Sequence, residues 1–122
     1  MTVKYDYTFY QRSIEIRRPG VNYPAAPDLT EEERKFWLSE DKKYNFSDKR
    51  FQDWLDQHKL RRSEGENDVD LAFRVHQTIT HTIPYTAKDE LRGCGVGGVA
   101  AGVTFGETDC GGRAVIFAAA MR

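Results

Sequence analysis

The stretch TDCGGRAVIFAAAMR, Thr108 to Arg122, decides how this chain is read. A cysteine stands where a polar loop turns into an apolar run. Asp109 or Thr108 is placed to cap a helix, and Ala114, Val115, Phe117, Ala118 and Ala119 make that helix apolar nearly all round. The spacing therefore predicts a central, buried helix from about Gly111 onward. A helix N-terminus presents unpaired N–H groups and a partial positive charge, a setting that holds thiolates and oxyanions. Cys110 is the candidate nucleophile on that ground. Glycines are poor helix formers, so Gly111 and Gly112 need a reason, and close approach of a substrate backbone is one. The competing reading is a buried structural cysteine, the common fate of a free thiol.

Outward from this segment, the chain changes character. Sixteen of 18 Lys/Arg and 17 of 19 Asp/Glu precede Gly93, whereas eight of ten glycines lie from Gly93 to Gly112. The first part thus reads as solvated elements and the last as an interior segment. At 122 residues the chain is the size of one modest domain. A net charge of -1 gives no electrostatic case for nucleic acid or a membrane surface as partner. No run is long and apolar enough to cross a membrane, and the N-terminus lacks a signal-peptide core, so a cytoplasmic location is the default expectation.

Residues 1–20 read as an N-terminal β element. Val3, Tyr5, Tyr7 and Phe9 alternate with polar residues, the phase shifts to Ile14 and Ile16, and Pro19-Gly20 ends it. Pro24 and Pro27 mark a loop. Thr30 with Glu33 forms a capping-box pattern for a short helix through Phe36, Trp37 and Leu38. Ser47 is the expected cap of a second helix, with Phe51, Trp54, Leu55 and His58 on one face. After a polar connection at 61–67, Asn67 and Asp70 open a third helix. Its apolar line reads Ala72, Val75, Ile79 and Ile83, and Pro84 ends it. Residues 86–107 read as a glycine-rich loop with one short turn around Val99–Val103.

Other chemistry-bearing residues carry weaker signals. His76 borders the third helix's apolar line and reads as a core or boundary residue, whereas His81 reads as solvated. Their spacing puts them far apart around a helix, so they make no metal pair, and no metal site is expected from Cys94, Cys110 and the histidines. Gly93-Cys94-Gly95-Val96-Gly97-Gly98 matches the dinucleotide fingerprint, but no buried strand precedes it, so no cofactor follows from it. Cys94 reads as incidental, or as an occasional disulfide partner. Tyr85 reads as packing, with an active-site wall as the alternative.

Thr108-Asp109-Cys110 followed by small residues and an apolar helix ending in Arg122 resembles the nucleophile motif of the transglutaminase-like superfamily, a branch of the papain-like cysteine peptidases. Ala72 to Tyr85 is similar to that family's preceding helix and its Ile-x-Tyr segment, and Phe51 to Leu60 to another of its helices. The resemblance implies an α+β, mainly helical fold, the helical lobe of a papain-like domain with a β-strand or hairpin before it. Residues 21–122 would be a partial domain, truncated after the nucleophile helix, with the base and its orienting acid beyond Arg122. It implies hydrolysis or acyl transfer at peptide or glutamine carboxamide bonds through a Cys110 thioester, on a peptide or protein substrate. Little turnover is expected of these residues alone. The alternative is a non-catalytic binding or structural module on the same fold. Exposed apolar surface also makes self-association an expectation.

Overall fold

The computed structural model describes residues 27–122, and these are mainly helical. The β element expected at 1–20 lies outside the described residues. Helix α1 (Glu31–Trp37) opens on the Thr30–Glu33 capping box in both directions. Three glutamates in its first turn complement the helix dipole. It buries no residue, and Phe36, Trp37 and Leu38 stand exposed.

Helix α2 (Lys49–Gln57) is capped by Asp48 rather than Ser47, because the Asp48 carboxylate accepts the Arg50 N–H while Ser47 is held by Glu40. The Arg50 guanidinium, then its backbone N–H, brings the Asp48 carboxyl down to about 2. The expected face is present: Phe51, Trp54 and Leu55 are buried, and the His58 ring lies 5.2 Å from the Trp54 ring. The helix ends in a Schellman pattern. Leu60 N–H donates to Leu55 O, and Lys59 N–H to Asp56 O. Leu60 then inserts into the core. Lys59 takes a left-handed φ of 54° to make this turn.

The connection at 61–67 is held by one arginine of the next helix. Arg74 donates through Nε and Nη2 to the Glu66 carboxylate at 2.7 Å each, and also to the carbonyls of Lys59 and Arg61. Helix α3 (Asp68–Thr82) starts at the predicted Asn67 cap, whose side chain accepts the Asp70 N–H. Its buried row is Leu71, Val75, Ile79 and the capping Ile83, not Ala72. These positions repeat every fourth residue and seat the larger Leu71, leaving Ala72 at the edge.

The expected loop at 86–107 is instead largely helical. A 3₁₀ segment, Asp89–Cys94, is interrupted at Arg92 and Gly93, and helix α4 runs from Gly98 to Phe105. The small residues of α4 are the reason. A Cβ on Gly102 would lie 2.6 Å from Cys94 Sγ and 3.2 Å from an Ile116 methyl, so glycine sets how closely α4 packs. Helix α5 (Cys110–Ala120) is central as expected, packing on the 3₁₀ segment, α3 and α4, while α2 packs on α4. One side of it is nevertheless open: Gly111 and Ala114 are exposed and Phe117 is half-buried. Among the described residues no helix is long and apolar enough to cross a membrane.

Two expected outcomes follow from these contacts. Lys59→Gly relieves the left-handed strain of a residue with a Cβ while leaving its carbonyl for Arg74, and stabilises the fold by about 0.5–1 kcal/mol in urea melts. The Arg74 guanidinium, then the Ser63 N–H, holds the Glu66 carboxyl at about 2, below an unfolded value of about 4.3. Its contribution is therefore complete above that unfolded value and is lost as pH falls toward 2. Glu66→Gln flattens the acid limb of the stability curve between about pH 5 and pH 2.5, as read by melting temperature.

Candidate active site

The approach to Cys110 is built on Thr108. This residue is fully buried, and the chain on either side of it pairs with the end of α3 in a parallel bridge: Thr86 N–H donates to Thr108 O at 3.0 Å and Thr108 N–H to Pro84 O at 3.2 Å. The Thr108 hydroxyl donates to Leu91 O at 2.7 Å and accepts the Cys94 N–H at 3.3 Å. Every polar atom of this buried residue is thus matched, as burial requires.

Asp109 is the N-cap of α5. One carboxylate oxygen, Oδ1, accepts the Gly112 N–H at 2.7 Å and the Gly93 N–H at 2.8 Å. These two donors, Gly93 first, hold its carboxyl below the usual range. Cys110 follows at the first helical position and is exposed. The N–H groups of Cys110 and Gly111 have no intrahelical acceptor by the geometry of a helix start.

The paired glycines have different causes. A Cβ on Gly112 would lie 1.9 Å from the Thr108 hydroxyl oxygen, so this glycine is required by packing and not by a substrate. Gly111 is exposed, and its nearest Cβ contact would be an ordinary 3.4 Å. Cys94 is a core residue rather than an incidental loop thiol. It is 1% exposed, has a left-handed φ of 73°, and donates its thiol to Gly112 O at 3.3 Å. Burial pushes that thiol up to about 11. Both cysteines are free, so the disulfide alternative is not realised.

The histidines do not gather at Cys110. His58 lies against Trp54 on α2, and His81 uses Nδ1 on Gln77 O and is solvated as expected. His76 is exposed on the rim of a cleft between α3 and α5, not a packed boundary residue, because the α3 row turned toward Leu71 leaves it outside. Tyr85 is also exposed rather than packed, at the bridge two residues before Cys110. No group of three or more His, Cys, Asp or Glu converges on a metal position among the described residues.

The dinucleotide-like glycines have a conformational cause. Gly93, Gly95 and Gly98 all take left-handed φ, between 56° and 64°. The start of α4 is moreover occupied, since Val99 N–H donates to Lys43 O and Ala100 N–H to Asn45 Oδ1. A phosphate would have to displace both. No family model, curated protein or solved structure matches this chain.

Gly111→Ala and Gly112→Ala separate packing from chemistry. Gly111→Ala changes stability by less than about 1 kcal/mol, on the stabilising side. Gly112→Ala forces Thr108 out of its hydrogen bonds and costs at least about 3 kcal/mol, read by chemical denaturation.

Proposed function

We propose that these residues form the nucleophile-bearing helical part of a thiol acyl-transfer enzyme of the transglutaminase-like, papain-like class. The observation that carries the reading is the exposed Cys110 at the first position of α5, with its own N–H and that of Gly111 free of intrahelical partners. Cys110 Sγ attacks the carbonyl carbon of a peptide or glutamine carboxamide. A base takes the thiol proton and returns it to the departing amine or ammonia. The resulting thioester is then cleaved by water or by an acceptor amine. The two N–H groups stabilise the oxyanion. Among the described residues no histidine hydrogen-bonds the Cys110 thiol, so the base in this proposal comes from outside them. The substrate is a peptide or protein. Self-association belongs to the same reading, through exposed apolar side chains such as Phe36, Trp37 and Phe73.

A second reading, a non-catalytic module on the same fold, is favoured by one specific observation. Thr108, Asp109 and Gly112 are each accounted for by packing and backbone hydrogen bonds. Cysteine modification discriminates. In the native protein at about pH 8, iodoacetamide is expected to label Cys110 and spare Cys94, and denaturation to expose both. A carbobenzoxy-Gln-Gly peptide is then expected to leave a hydroxylamine-labile acyl adduct on Cys110, by mass spectrometry, that Cys110→Ala lacks at an unchanged melting temperature. A Cys110 inert to iodoacetamide in the folded protein overturns the enzyme reading, and a reactive Cys110 that never acylates favours the module.

A further inference from the structure

Arg113 is held differently from five other arginines among the described residues. Arg50, Arg61, Arg62, Arg74 and Arg92 each sit on a carboxylate within 3 Å. Arg113 has no such ion pair among the described residues, and its Nε is sealed from solvent with no hydrogen-bond acceptor. A buried donor left unmet costs about 1–3 kcal/mol, more on a charged group. Cores remove such costs by supplying an acceptor, and none is supplied here.

The same side chain lines a cleft of about 260 Å³ between α3 and α5. Its apolar wall is Ile79, Ala114 and Phe117, and His76 and Thr80 stand on the α3 side. The Thr80 hydroxyl is already spent on His76 O at 2.9 Å. Among the described residues no carboxylate lines the cleft. Arg113 is only part-buried, so the rest of its side chain remains accessible.

We propose that the α3–α5 cleft is a binding site for a small organic carboxylate with an apolar body, its carboxylate pairing with the Arg113 guanidinium and its body lying against Ile79 and Phe117. Nε is sealed, so the carboxylate meets the accessible Nη end of the guanidinium, a charge-assisted pair beside an apolar wall. The volume lies below the range of about 300–1,000 Å³ typical of drug-sized ligands, which limits the occupant to a group such as one apolar side chain with a terminal carboxylate. The site does not depend on thiol chemistry at Cys110, and it stands or falls separately from it.

Hydrocinnamate is the probe, and its neutral amide is the control of equal shape. Titration into the full chain is followed by the arginine Nε–H cross-peak of Arg113 in a proton–nitrogen correlation spectrum. Saturable movement of that peak with a Kd on the order of 1 mM is expected, with the amide at least tenfold weaker. Arg113→Met, which keeps the stem, is expected to abolish the difference between acid and amide. Equal binding of acid and amide reduces the cleft to an apolar pocket and overturns the proposal. So does the absence of saturation, or a shift that maps elsewhere. Should Arg113→Met fail to fold, the acid-against-amide comparison on the unaltered protein decides alone.

Discussion

The buried hydroxyl of Thr108 is the contact on which the other placements depend. It bridges Leu91 O and Cys94 N–H inside the core, while the Thr108 backbone pairs with the segment leaving α3. One residue thereby joins the end of α3, the 3₁₀ segment and the start of α5. In a low-dielectric interior such a network is strong when complete and costly when broken. Its volume dictates its neighbours too. The Thr108 side chain fills the space where a Gly112 Cβ would sit, and Gly112 O in turn receives the Cys94 thiol. Asp109 extends the tie outward by holding Gly93 and Gly112 from a single oxygen.

Local signals were legible in the residues; long-range packing was not. The Thr30–Glu33 box and the Asn67 cap work through side chains and N–H groups three residues apart, so the sequence alone locates them. Asp48 displaced Ser47 as a cap because Glu40, seven residues upstream, captures Ser47. The α4 helix was hidden by its glycines, which local propensity counts against a helix. Their value there is distance-dependent: Gly102 admits Cys94 and Ile116, neither of which is a sequence neighbour. Cys94 was misread for the same reason, since its acceptor lies eighteen positions away.

The candidate site divides along the same line. Cys110 was visible as a helix-start thiol, and it stands exposed at that position. The residues around it carry less chemical information than their pattern implies. Asp109 is committed to capping, Thr108 to the core and Gly112 to the space that Thr108 needs. These three residues of the motif are therefore accounted for without catalysis. What packing leaves unexplained is the cysteine itself and Gly111, both exposed at the first turn of α5.

Arg113 adds a second residue whose surroundings do not account for it. It sits three positions past Cys110 on α5, just under one helical turn. A side chain that needed only to solubilise this helix would extend fully into water, where no donor is sealed away. Burial of Nε beside an apolar wall does the opposite. The arrangement holds a permanent charge next to apolar surface at a cost to the fold. A carboxylate on an apolar body is the chemistry that returns part of that cost, because it pairs with the guanidinium charge and covers Ile79 and Phe117 at the same time.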